Sequence, residues 1–204
     1  KIVILNIGGI SNFTYLKNKS QFFGSDAGPG NALLDLYCQK KLDMPFDRNG
    51  TIASKGQVIP DELEKLISLD FFKSSFPKST GKELFNIDLL SKNLLSSSPK
   101  DALATLTELT AKSVQLAIDN INLDPKEIVA CGGGVKNKFL MQRISELTSL
   151  NAFTTADEGL DPQAIESMAF AWFGYRRIKN IPSIVPTGKN ISTKALLGSI
   201  TKIK

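Results

Sequence analysis

Two apolar runs in this 204-residue sequence end in adjacent glycines: Ile2–Leu5 leads into Gly8-Gly9, and Ile128–Cys131 leads into Gly132-Gly133-Gly134. Glycine lets the backbone approach a ligand closely and leaves its amide N–H unobstructed. Successive N–H groups in such a turn form an anion-binding concavity suited to phosphate. Neither run is a P-loop, because the Gly-Lys-Ser/Thr ending is missing. Neither is a dinucleotide fingerprint, since Asn137 stands where the third glycine belongs. A single glycine doublet is ordinarily a tight turn at a sheet edge; two of them, each at the carboxyl end of a strand, sit where ligands of open α/β sheets collect. A third segment, Asp26-Ala27-Gly28-Pro29-Gly30-Asn31, puts a carboxylate in a rigid turn just before a helix start, where anions are attracted. Asp26 suits two roles there: cap of that helix, or orienting group for magnesium, which takes few carboxylates and several waters. Glu166 falls on a helical wheel between Phe170 and Phe173. It is either desolvated there, with raised proton affinity, or paired with Arg177 on the same side.

The elements that must position these groups alternate strand and helix, which argues an α/β layered fold. Ile2–Leu5, Glu127–Cys131 and Asn151–Thr155 read as strands, and Asn12–Leu16 as a hairpin partner of the first, with another short strand at Gln21–Gly24. Helices are expected after Asn31, with Leu33, Leu34, Leu36 and Tyr37 inward, and from Pro60, where Asp61 and Glu62 occupy the first turn. Asn86–Leu95 reads as a short apolar helix and Lys138–Leu147 as another. Asp101–Ile121 carries the longest helical pattern, with Leu103, Leu106, Thr110, Val114, Ala117 and Ile121 three or four apart. The segment from Pro162 to Ile178 is apolar on almost every side as far as Phe173, so it is expected to be a central helix. Residues 42–56, 77–81 and 25–31 read as loop or turn.

Composition bounds the chemistry. With 42% hydrophobic and 22% charged residues, the chain is ordinary for a globular protein and long enough to bury a core without staples. It contains no histidine, which excludes Ser-His and Cys-His catalysis within the chain and every His-ligated metal. Cys38 and Cys131 are the only cysteines and read as reduced thiols. The net charge of +5 comes from scattered lysines among acids, with no basic block to follow a nucleic acid backbone. No apolar run is long enough to span a bilayer. No charged-then-apolar leader opens the chain, so the expectation is a cytoplasmic protein. The chain opens on Lys1 and runs straight into a strand, so the expectation is that something upstream has been removed or that this is one piece of a longer polypeptide.

The ordered motifs resemble the second half of the anhydro-N-acetylmuramic acid kinases. They are Asn6-Ile7-Gly8-Gly9-Ile10-Ser11-Asn12, Asp26 to Asn31, Pro77-Lys78-Ser79-Thr80-Gly81-Lys82-Glu83, Ala104 to Ala111, Cys131-Gly132-Gly133-Gly134 with Asn137, and Glu166 to Trp172. The resemblance covers essentially the whole chain. It implies one lobe of an actin-like (ribonuclease H-like) ATPase fold, a mixed sheet flanked by helices, with residues 1–204 forming the C-terminal nucleotide-binding lobe of a two-lobed sugar kinase. It implies ATP and Mg2+ as cofactors, an anhydro-amino-sugar substrate, an absent N-terminal lobe as partner, and room for a homodimer, in a pathway of cell-wall recycling. By the same resemblance Gly8 and Gly9 approach the ATP phosphates, and Gly132, Gly133, Gly134 and Asn137 border the adenosine. Asn12, Asp26, Gly28 and Asn31 lie on the phosphate or sugar side, and Glu166 supports catalysis from the cleft. The family's first phosphate loop and its water-activating aspartate belong upstream of the first motif. Ala27 stands where threonine is usual and Lys82 where arginine is usual, and an arginine fork is not replaced by a lysine point charge. The alternatives are a catalytically incomplete nucleotide- or partner-binding module and, more remotely, a Rossmann dehydrogenase, whose fingerprint is absent.

Overall fold

The computed structural model describes residues 1–18, 21–120, 124–188 and 191–201. Its centre is a five-stranded mixed sheet made of β1 (Ile2–Ile7), β2 (Ile10–Asn18), β3 (Gln21–Pro29), β4 (Glu127–Cys131) and β5 (Asn151–Thr154), in the order β3-β2-β1-β4-β5. The first three strands form an antiparallel meander, while β1–β4 and β4–β5 are parallel. Alternation is strict in β1: Val3, Leu5 and Ile7 are buried, and Ile2, Ile4 and Asn6 only partly so. β3 runs further than the sequence suggests. Ser25–Pro29, dense in turn residues, is strand because β3 is the sheet's edge, where a proline breaks no interior ladder.

The helices are α1 (Ala32–Leu42), α2 (Pro60–Ile67), α3 (Asp70–Lys73), α4 (Lys92–Ser96), α5 (Pro99–Asn120), α6 (Lys138–Thr148) and α7 (Ile165–Ile178). The expected helix over Asn86–Leu95 is instead a 3-10 turn at Ile87–Leu89 followed by α4. Two capping side chains divide it: Asn86 accepts from the Asp88 N–H, and Ser91 Oγ accepts from the Leu94 N–H. α5 serves both cores. Its N-terminal half (Leu103, Leu106, Leu109) packs with Leu33, Tyr37, Leu66, Phe85 and Leu94, and its C-terminal half (Ala111, Val114, Ala117) packs under Val3, Leu5, Ile7 and Leu140. Ile121, expected on that face, lies outside the described residues.

The helix expected to be central is not. No residue of α7 is buried, and Phe170 and Ile178 are 68% and 71% exposed. Its apolar circumference finds no matching surface among the described residues, so the central position falls to α5. After α7 the chain forms a separate antiparallel hairpin, β6 (Ser183–Gly188) and β7 (Ile191–Ala195). Among the described residues no helix is long and apolar enough to cross a membrane. Cys38 and Cys131 are free and buried.

Candidate functional site

β1 and β4 are parallel neighbours with Asn6 opposite Cys131, so their glycine turns leave the sheet side by side. The glycines there divide by what surrounds them. A Cβ on Gly132, whose φ is +84°, would lie 2.7 Å from the Ile7 carbonyl oxygen, and one on Gly134 would lie 2.2 Å from Ile7 Cγ2. These two allow the turns to touch. Gly133 meets nothing within 4 Å and faces open space. Gly8 has only an ordinary contact at 3.5 Å, while the stem of Lys82 lies across Gly9.

Asn31 holds the first turn. Its Nδ2 donates to the Gly8 carbonyl at 3.1 Å, and its backbone N–H donates to the same oxygen at 2.8 Å. The Gly30 and Ala32 N–H groups donate to the Gly9 carbonyl at 2.9 and 3.0 Å. The first amides of the α1 entry are thus taken up by the β1 turn, not held ready for an anion. Thr110 Oγ1 on α5 donates to the Gly30 carbonyl at 2.9 Å from the buried side. A Cβ on Gly28 would collide with Ser113, also on α5, which explains the residue by packing.

Asp26 is not the helix cap that was one of its two expected roles. Asn31 occupies that position, and Asp26 Oδ2 accepts from the Thr80 N–H at 2.8 Å and from Ser79 Oγ at 3.0 Å. The strand is pinned to this loop again through the Lys78 carbonyl, which accepts from the Asp26 N–H. Lys78 itself donates to the Phe71 carbonyl at 2.7 Å between the rings of Phe71 and Phe76, and burial lowers its pKa. Asn12 sits opposite both Asn6 and Asp26 in the register, so Asp26, Asn12 and Asn6 form a polar row across three strands. Sequence reasoning passed over Asn6, because its place in that row exists only once the strands pair.

Beside the turns lies a cavity of about 590 Å3 whose walls include Asn31, Asp35, Phe46, Arg48, Gly133 and Asn137. Of the expected site residues, Asn31, Gly133 and Asn137 line it; Gly8, Gly9, Gly132, Gly134, Asn12, Asp26 and Gly28 do not, the glycines standing behind or beside it. Asn137 also caps α6, accepting from the Leu140 N–H at 3.0 Å. Asp35 was missed. Burial pushes its pKa up to about 6, against an opposing pull from Lys82. The segment carrying Phe46 and Arg48, a loop by composition, is held by Asp47, a buried carboxylate accepting from the Ile52 and Ala53 N–H groups. An acidic residue amid mixed loop residues was the available signal, and it gave no direction.

Glu166 stands apart. It is exposed, and no ion pair joins it to Arg177 among the described residues. The burial that the first of these readings required is missing because α7 packs on nothing that would remove water. The segment before α7 is nonetheless attached to the cavity: the Gly132 N–H donates to the Pro162 carbonyl at 2.9 Å, and Lys136 Nζ donates to Gln163 Oε1.

A meander, two parallel strands and a cavity at their carboxyl ends define a lobe of the actin-like fold of ATPases and sugar kinases. Solved structures that share it include the activator of the 2-hydroxyisocaproyl-CoA dehydratase from Clostridium difficile with bound ADPNP (TM-score 0.56, 17% identity, 88% of this chain and 62% of that one). Another is a ligand-bound xylulose kinase from Lactobacillus acidophilus (TM-score 0.53, 14% identity, 95% and 41%). At such identities the likeness concerns the fold alone. The sequence is more specific: the profile of the anhydro-N-acetylmuramic acid kinases matches residues 1–203. Kinases of that description from Gamma-proteobacterium EBAC31A08 and Shewanella frigidimarina are 53% and 42% identical to it over 99% of this chain. This chain belongs to the anhydro-N-acetylmuramic acid kinase family, and it spans 55% and 56% of the length of those two relatives.

Proposed function

We propose that residues 1–204 are the C-terminal, nucleotide-binding lobe of a cytoplasmic kinase that uses ATP and water to open 1,6-anhydro-N-acetylmuramic acid, giving N-acetylmuramic acid 6-phosphate for cell-wall recycling. In that reaction water adds at the anomeric carbon, the bond from that carbon to O6 breaks, and O6 receives the phosphoryl group that ATP supplies. The supporting observation is that the two glycine turns lie against each other, with Asn31 bonded to the first of them, at the edge of the 590 Å3 cavity. A cavity of this size suits a nucleotide. Gly133 leaves room for close approach, Arg48 and Lys136 supply positive charge, and Phe46 supplies a ring beside Arg48.

The roles then divide along the sheet edge. Gly8 and Gly9 face the phosphates, with Lys82 across the turn as the nearest cation. Gly132 to Gly134 and Asn137 border the adenosine, while Asn12, Asp26, Gly28 and Asn31 fall on the phosphate or sugar side. Among the described residues no group of three His, Cys, Asp or Glu side chains could hold a metal ion. Mg2+ arriving with the nucleotide would draw on phosphate oxygens, water and one or two carboxylates, the mode it favours; Asp26 is the candidate.

Calorimetric titration of ADP into the purified chain tests the assignment. Binding is expected, and Gly133→Val should weaken it at least tenfold with the melting temperature unchanged. A folded chain that takes up no ADP, or a valine variant of unchanged affinity, contradicts the reading.

A further inference from the structure

The unaccounted feature of the molecule is α7. A helix that is apolar all round belongs in an interior, yet Met168, Trp172 and Tyr175 are bare on one side and Phe170 and Phe173 on the other. Four aromatic rings of about 150–250 Å2 each, half uncovered, expose roughly 400 Å2 over the two sides together, before Met168 and Ile178 are added. The second side opens into a further, open apolar cavity of about 560 Å3 that Leu197 and Ile200 also line. Arg177, which also lines it, carries a buried Nε without a hydrogen-bond acceptor, a cost normally met by a carbonyl or carboxylate.

We propose that α7, with the segment 197–200, is the docking surface for the part of the kinase that this chain does not span. That part amounts to about 45% of the first relative's length, the remainder of the 55% matched. The inference rests on the family reading above, and it adds the surface and its chemistry: an apolar wall for both aromatic sides and an acceptor for Arg177. A second copy of the chain fits less well. A two-fold contact is made by one patch meeting itself and would leave the opposite side of α7 bare, whereas enclosure on both sides needs a domain core. The tether from Pro162 and Gln163 to the Gly132–Lys136 turn puts whatever covers α7 beside the nucleotide cavity.

Trp172 is the chain's single tryptophan and reports on this surface directly. The unmatched part of the Gamma-proteobacterium EBAC31A08 kinase would be joined ahead of the 204-residue chain, with a Trp172→Phe version subtracted as the blank. The Trp172 emission should shift to shorter wavelength and its iodide quenching fall at least threefold relative to the chain alone. Phe170→Asp with Phe173→Asp should restore both to the values of the chain alone. An unshifted, fully quenched Trp172 in the joined protein overturns the proposal. So does an isolated chain that dimerises in sedimentation and becomes monomeric with the same double substitution, for then a second copy covers α7. ADP titration of the isolated chain is read separately: failure there removes the nucleotide assignment and leaves the docking result standing.

Discussion

Asp35 holds its proton up to about pH 6 because its partial burial in the cavity wall disfavours the charged carboxylate. Its folded pKa lies above the ordinary 3.8, so the folded state binds the proton more tightly between those values, and stability falls as pH rises from about 4 to 6. Above that window the charged carboxylate is a standing destabilisation. Asp35→Asn should raise stability by about 1–2 kcal/mol at pH 8 and change little at pH 4, measured by urea unfolding. If the cavity holds a nucleotide, its phosphates add a like charge, and ADP affinity should rise as pH falls through about 6. A flat profile in the natural chain, or an unchanged one in the asparagine variant, counts against this. Gly133 and Gly132 illustrate why residue type alone misleads: the same amino acid leaves space for a ligand at one position and lets two strand ends touch at the next.

At the scale of elements, Glu62 on α2 joins two separate stretches. It is buried and accepts from Ser91 Oγ, from Asn93 Nδ2 at 3.0 Å and from the exposed Lys65 at 2.9 Å. The hydrogen bonds from Lys65, Ser91 and Asn93 hold its pKa down to about 2, so its contribution is present above pH 4.5 and is lost as pH falls toward 2. Glu62→Ala should cost about 3 kcal/mol at pH 7, since Ser91 and Asn93 lose their acceptor, and the loss should shrink steadily below pH 4. A second pair, Arg143 on α6 to Glu108 on α5, is a fork at 2.8 and 2.9 Å. Neither pairing was legible beforehand, because both partners come from distant segments. The strand Glu127–Cys131 and the helix from Pro60 were legible to the residue, each bounded by local signals: an apolar run into glycines, and a proline with acids behind it. Ser25–Pro29 misled because glycine and proline punctuate turns but are also tolerated at a sheet edge, and edge position is a property of the whole sheet.

At the scale of the molecule, phosphoryl transfer is positioning and charge stabilisation between two walls, and on the function proposed above this chain supplies one of them. The isolated chain is therefore expected to bind nucleotide and to convert no anhydro-sugar; coupled ADP-release assays showing robust ring opening by the chain alone would refute this. The sequence by itself determined most of the sheet strands and the longer helices, the glycine ends, the absence of histidine chemistry and the family, because apolar periodicity and ordered short motifs are local properties of the chain. Only the tertiary structure decided which glycines face space and which face a neighbouring strand, that Asp26 binds the 79–80 loop instead of a helix end, and that α7 lies outside the core. Those depend on what stands opposite each residue, and a helix apolar on every side calls for an interior without saying whose interior it is.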